Sequence, residues 1–156
     1  MKKLSLILVV LIMAFVSCKK DKVDQGAIDN KLILAYIQAN NLTALHTGSG
    51  LYYVVTAIGD STRPISTSTV KVKYRGYLLD GTQKGTQFDA SYFLNEQAAQ
   101  LSLAGAVKGF LEGMKLFGKG GKGELIIPSG LGYGDTVQGD IPANSVLIFD
   151  FELVTF

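Results

Sequence analysis

Apolar and polar positions alternate most regularly over residues 69–79, where Val70, Val72 and Tyr74 are interleaved with Lys71, Lys73 and Arg75. A period of two sends successive side chains to opposite faces, so this stretch predicts a strand with one buried and one wet face. The same period closes the chain over residues 146–154. Leu147, Phe149, Phe151 and Leu153 share one face there, and Asp150 and Glu152 lie on the other. Residues 51–58 and 122–127 are β-branched or apolar enough to predict two more strands, and residues 87–93 and 100–103 two shorter ones. Helical spacing occurs twice. Over residues 27–39, Ile28, Leu32, Ala35, Tyr36 and Ala39 fall on one face, with Asp24 placed to cap the start and Asn40-Asn41 to end it. Leu34 and Ile37 lie off that stripe and predict a second contact for this helix. Over residues 107–117, Phe110, Met114 and Phe117 recur at helical spacing, and Gly118 is placed to end the helix through a left-handed cap.

Between these elements, residues 46–50 read as a linker, 59–68 as a loop containing Pro64, Asp80-Gly81 as a turn and 128–144 as a long loop. Several strands and one short helix without βαβ alternation predict an α+β fold, an antiparallel β-sheet wrapped around one short α-helix and preceded by an N-terminal helix. No internal repeat is present.

Charge and composition narrow the partners. Met1-Lys2-Lys3 precedes an apolar run over residues 4–16 and then Ser17-Cys18, a pattern that predicts a secretory signal over residues 1–17. The run is short for a membrane span; a retained anchor helix is the other reading of the same stretch. Cleavage there lowers the basic residues from 15 to 13 against 13 acids, so the mature chain carries no net charge. A balanced chain argues against nucleic acid as a partner. Cys18 is the sole cysteine, which excludes an intramolecular disulfide. Its position resembles the lipobox of bacterial lipoproteins, with Phe15 where that family usually has Leu. The resemblance implies lipidation at Cys18, a tether over residues 18–24 and an extracytoplasmic protein anchored to a bacterial membrane, the outer one by expectation. A plain signal peptide with an incidental thiol is the alternative.

Several chemistries lack their residues. Gly118-Lys119-Gly120-Gly121-Lys122-Gly123 satisfies GxGxxG literally, but it follows a predicted helix and opens a strand, the reverse of a dinucleotide site. Residues 113–120 have Gly120 where a phosphate-binding loop needs Ser or Thr. His46 is the sole histidine and lies in the predicted linker, away from any candidate nucleophile. No cluster has metal-ligand spacing. Asp135 and Asp140 flank a loop without the opposed geometry of a hydrolase pair.

What remains is an ordered set of landmarks. Tyr74 lies on the early strand, Phe88-Asp89 follows it, and Ala106-Val107 precedes the helix that carries Phe110. Ile126-Ile127-Pro128 leads into Gly130-Leu131-Gly132-Tyr133-Gly134, then come Ile141-Pro142 and the last strand with Phe149. In this order the set resembles the FKBP-type peptidyl-prolyl isomerases over residues 50–156, about two thirds of the chain. The resemblance implies a shallow apolar pocket for a proline ring, lined by Tyr74, Phe88, Asp89, Val107, Phe110, Tyr133, Ile141 and Phe149. It implies no cofactor and no metal. The backbone N–H of Val107 would donate to the substrate carbonyl on the C-terminal side of proline, and the Tyr133 hydroxyl would bond the substrate backbone. Asp89 would either face the carbonyl before proline or hold Tyr74.

Proline-containing polypeptides are the implied substrates, and macrolides the implied inhibitors. Departures from the family's pattern bear on efficiency. Phe110 stands where many members have Trp, an aromatic is missing near residues 98–101, residues 82–87 make a longer turn than usual, and Ala143 replaces a second proline. A non-catalytic binding module or holdase on the same fold is the alternative function. The domain organisation expected is a signal over residues 1–17, a tether over 18–24, a helix and linker over 25–49 and the isomerase domain over 50–156. A monomer is expected, although some longer members of the family dimerise through such a helix.

Overall fold

The computed structural model describes residues 24–91 and 97–156. The expected signal, Cys18 and most of the tether lie outside the described residues, as does Phe93 at the end of one expected strand. Helix α1 (Gln25–Ala39) leads into strands β1 (Ala44–His46), β2 (Tyr52–Ala57), β3 (Thr69–Asp80), β4 (Gln83–Ala90) and β5 (Ala99–Ser102). Helix α2 (Lys108–Met114), β6 (Lys122–Ile127) and β7 (Leu147–Thr155) follow. The seven strands form one antiparallel sheet in the order β1-β2-β6-β7-β3-β4, and β5 pairs with the first half of β3. This is the expected α+β architecture.

The alternation of β3 and β7 decides the main core. Val70, Val72, Tyr74, Leu147, Phe149, Phe151 and Leu153 point to one side, where they meet Phe110, Met114 and Phe117. Helix α2 sits close to β6 because its facing positions are glycines four apart. A Cβ at Gly109 would stand 2.4 Å from Ile127 Cγ2, and one at Gly113 2.4 Å from Leu125 Cδ1. The opposite face of the sheet is apolar as well. Ile126, Ile148 and Val146 form a second buried cluster with Ile33 and Tyr36 of α1. Both faces are therefore covered by a helix.

Beneath α1 the back face also carries charge. The Lys84 ammonium lies 2.6 Å from Glu124 Oε2 and 2.6 Å from Asp150 Oδ1, and the Tyr36 hydroxyl donates to Glu124 Oε2 at 3.2 Å. Burial raises the Glu124 carboxyl above its ordinary range, and Lys84 opposes the shift. Burial disfavours the Lys84 cation, but its hydrogen bonds to Asp150 and Glu124 prevail and raise its pKa.

Four expectations are corrected. The buried face of α1 is Asp29, Ile33 and Tyr36, while Ile28 and Leu32 are exposed. Ile28, Leu32 and Ala35 each precede one of these by a single residue, a rotation of about 100° about the helix axis. Tyr36 is buried as expected; the apolar pattern misled elsewhere because Asp29, a carboxylate, is buried through polar partners. His46 belongs to a strand rather than a linker, since β1 pairs with β2 through His46 and Tyr52. Strand β4 begins at Gln83, directly after a two-residue turn at Gly81-Thr82, so residues 83–87 are ladder and not an extended turn. Helix α2 stops at Met114, and the left-handed glycine is Gly120, with φ of 80°, not Gly118. Gly118 is instead pressed against Asp60, whose carbonyl oxygen a Cβ there would meet at 2.2 Å.

Candidate active site

The site lies where β3, β4, α2 and the loop after β6 meet. Tyr74 is 8 % exposed, pointing inward from the regular alternation of β3. The β3–β4 ladder opposes Gly76 to Asp89, which brings the Asp89 carboxyl back over Tyr74. The Tyr74 hydroxyl donates to Asp89 Oδ2 at 2.7 Å, and the Ala90 N–H donates to Asp89 Oδ1 at 2.8 Å. The first of these hydrogen bonds ties Asp89 to the Tyr74 hydroxyl. Burial, then the hydrogen bond and charge of Asp89, raise the Tyr74 pKa, so its hydroxyl stays protonated well above neutrality.

Three aromatic rings make the floor. Phe110 and Phe149 meet edge-on with centroids 5.1 Å apart, and Tyr74 stands 6.0 Å from Phe149 and 6.1 Å from Phe110. Phe88 supports Phe149 from behind in an edge-to-face contact at 5.5 Å. Gly76 makes room for both rings, since a Cβ there would lie 2.7 Å from Phe88 Cζ and 2.9 Å from Phe149 Cε1. Such contacts lock ring orientation as well as burying area.

These rings floor a cavity of about 400 Å³, lined also by Asp89, Val107 and Tyr133. Six of the eight residues expected from the sequence thus come together. Phe88 backs the wall and does not line the cavity. Ile141 is buried in the main core and is likewise absent from the lining. Leu101, Ser102, Gly105 and Ala106 complete the rim. The sequence touched Leu101 only through the aromatic missing near residues 98–101 and had no signal for Ser102, because β5 reaches the site only through its pairing with β3.

Besides the Ser102 hydroxyl, which makes no cap bond, two hydrogen-bond donors at the rim are free among the described residues. Val107 precedes the first turn of α2, where N–H groups have no intrahelical acceptor, and its own N–H has no partner. The Tyr133 hydroxyl has none either, and the residue is 37 % exposed. Tyr133 is framed by hydrogen bonds from Gly132 N and Gly134 N to the Ser129 carbonyl, at 2.9 and 2.8 Å. An apolar cavity with two unengaged donors on its rim suits a neutral, carbonyl-bearing ligand.

Comparison with known proteins agrees with this geometry. The sequence model described as FKBP-type peptidyl-prolyl cis-trans isomerase matches residues 60–154. The chain therefore belongs to that family. It is 40% identical over 138 residues to the FKBP-type peptidyl-prolyl cis-trans isomerase FkpA of Aeromonas hydrophila, covering 86% of this chain and 50% of that protein. To FkpA of Escherichia coli strain K12 it is 41% identical over 108 residues, 69% of this chain and 38% of the relative. The chain thus spans half or less of the length of these curated relatives. The crystal structure of FkpA from Escherichia coli superposes with a TM-score of 0.69 at 37% identity, covering 86% of this chain and 60% of that one. The crystal structure of AtFKBP13 gives a TM-score of 0.60 at 28% identity, covering 71% of this chain and 96% of the other.

Proposed function

We propose that this protein catalyses cis–trans isomerisation of Xaa-Pro bonds in exported polypeptides. The observation that carries the reading is the aromatic-floored cavity with free donors at Val107 and Tyr133 on its rim. Rotation about the bond faces a barrier of ~18–20 kcal/mol, because resonance gives the C–N bond partial double-bond character. At the top of the barrier the amide is twisted, the resonance is lost and the carbonyl is less polar. A water-poor cavity costs that species less solvation than it costs the planar amide, so binding there favours the transition state. The proline ring rests on Phe149, Phe110 and Tyr74. The Val107 N–H donates to the carbonyl following proline, and the Tyr133 hydroxyl donates to the substrate backbone. Asp89 acts through Tyr74, whose ring it fixes. The reaction breaks no covalent bond and needs no proton transfer.

The wider assignment belongs to the same proposal. Residues 1–17 direct export, Cys18 carries the lipid that anchors the protein to a bacterial membrane, and residues 50–156 form the isomerase domain behind the helix of residues 25–49. Macrolides would occupy the same cavity, weakened by Phe110. Binding without turnover is the second reading. The aliphatic Leu101 on the rim, in the region where the family usually has an aromatic, is the observation that favours it. An isomerase assay on a short Xaa-Pro peptide decides between them. Turnover lost in Asp89→Ala and in Phe149→Ala supports the enzyme, whereas a folded chain that binds the peptide without turnover supports the binding module.

A further inference from the structure

Helix α1 carries a carboxyl group that its own fold does not require. Asp29 is 1 % exposed, and its partners are hydrogen-bond donors. Gln25 Nε2 donates to Oδ1 at 2.7 Å. Both donors on Oδ2 come from a single residue a hundred positions away, Ser129, through its N–H at 2.7 Å and its hydroxyl at 2.6 Å. A buried carboxyl is costly unless so satisfied, and a leucine of similar size would fill the position without that cost. What a leucine would not supply is an acceptor for Ser129.

Ser129 is the hinge between this contact and the cavity. It opens the short turn Ser129–Leu131 that begins the long loop. Its N–H side is fixed by Asp29, and its carbonyl receives the N–H groups of Gly132 and Gly134 on either side of Tyr133. One residue therefore couples α1 to the backbone that presents the tyrosine. Packing holds only the far side of this turn, where Leu131 rests on the main core; on the near side a second cavity of about 400 Å³ opens between Asp29, Gln25, Ser49 and the Ser129–Asn144 side of the loop. On that near side the turn is held by polar contacts, the two bonds from Ser129 to Asp29.

We infer that Asp29 is a positioning residue for the isomerase reaction, setting Tyr133 at the rim through Ser129. The inference rests on the isomerase reading of the cavity. It gives α1 a part in turnover although none of its residues lines the cavity. The acceptor oxygens carry the effect, more than the charge. In Asp29→Asn, Oδ1 can serve both Ser129 donors while Gln25 turns its amide to accept from the new Nδ2.

The test is kinetic, on the full chain, in two backgrounds. Asp29→Leu is expected to lower kcat/KM about tenfold, and Asp29→Asn about twofold or less, at a temperature where circular dichroism shows every variant folded. In a Tyr133→Phe background the Asp29→Leu loss is expected to shrink below about twofold, as coupling between residues acting through one group requires. A purely structural role for Asp29 moves the melting temperature but gives the same kinetic loss in both backgrounds, and that result overturns the inference. A loss for Asp29→Asn as deep as for Asp29→Leu overturns it too. Should Asp29→Leu fail to fold, Ser129→Ala removes one of the two bonds. Its expected loss is about two- to threefold and must also vanish with Tyr133→Phe.

Hydrogen exchange separates this question from the isomerase reading itself. Loosening of the clamp speeds exchange of the Gly132 and Gly134 amides and leaves the amides of α2 unchanged. If the wild-type chain shows no turnover the isomerase reading falls, and unchanged exchange in Asp29→Leu then overturns the clamp as well.

Discussion

Replacing Phe149 by alanine perturbs the core and the cavity at once, and the structure lets the two effects be separated. The ring is 7 % exposed and touches three others, with centroids 5.1 Å (Phe110), 5.5 Å (Phe88) and 6.0 Å (Tyr74) away. Truncating a buried phenylalanine costs about 3–5 kcal/mol where neighbours cannot collapse into the gap. Here the gap opens onto the cavity, so water and partial relaxation of Phe88 favour the lower half of that range, about 3–4 kcal/mol. Against a domain stability of about 5–15 kcal/mol the variant still folds. At about 2–4 °C per kcal/mol for a chain of this size, the melting temperature drops by about 6–16 °C.

Phe149→Leu is the control. It keeps most of the volume and costs about 1–2 kcal/mol, yet it removes the flat aromatic wall. Thermal melts give the stability change, and a peptide isomerase assay well below both melting temperatures gives the kinetic change. Both variants are expected to lose at least about tenfold in kcat/KM, equivalent to about 1.4 kcal/mol of transition-state stabilisation. A folded Phe149→Leu with kcat/KM within about twofold of wild type would refute the reasoning, because the wall would then be core and nothing more. An Ala variant that melts with wild type would refute the packing.

Tyr133→Phe is expected to lower kcat/KM while moving the melting temperature by no more than about 2 °C, since the residue is exposed and its hydroxyl has no hydrogen-bond partner among the described residues. Gly109→Ala should destabilise by about 1–3 kcal/mol in a denaturant titration, because its Cβ would meet Ile127 Cγ2 at 2.4 Å and push α2 off β6. Lys84, Tyr36 and Tyr74 all have folded pKa values raised above their unfolded ones, so their contributions are fully present below about pH 10 and fade as pH rises through the folded values. Stability measured between pH 9 and 12 should therefore fall (~1 kcal/mol or more), with a shallower slope in Lys84→Met. Cys18→Ala should move the protein from the membrane fraction to the soluble one, and unchanged fractionation would sink the lipid anchor.

Much of the fold was legible because β3 and β7 keep a strict period of two, and each face of a strand declares its own environment. The cavity was legible for a related reason. Aromatic residues on a strand, a Phe-Asp pair and a tyrosine between glycines are each poorly explained by packing alone, and their order is specific. The rotation of α1 was not legible. A stripe containing Asp29 looks wet until Ser129 is known to lie beneath it, and residues a hundred positions apart leave no local trace of their contact. Strand β1 was missed because three residues carry no periodic signal; only the ladder with β2 defines it. The early start of β4 was hidden by Gln83 and Lys84, which read as turn and are held as strand by pairing with Asp80 and Leu79.

The distribution of acids across the structure bears on how the cavity can work. Asp89 accepts from Tyr74 and Ala90, Asp29 from Gln25 and Ser129, and Glu124 from Lys84 and Tyr36. Each of these carboxyls is engaged in holding a neighbouring element, and of the three only Asp89 touches the cavity, where it orients a ring. A general acid or base would need to face the reacting atoms with an unengaged oxygen or proton. Among the described residues, the groups left unengaged at the rim include an amide N–H and a phenol, donors that on the proposed reading would hold a carbonyl in place while the bond beside it turns. On the same reading, the apolar floor would supply the discrimination between planar and twisted amide. On that reading Asp89 and Asp29 would act upstream, holding Tyr74 and Ser129 in place, while Glu124 ties Lys84 and Tyr36 together on the opposite face.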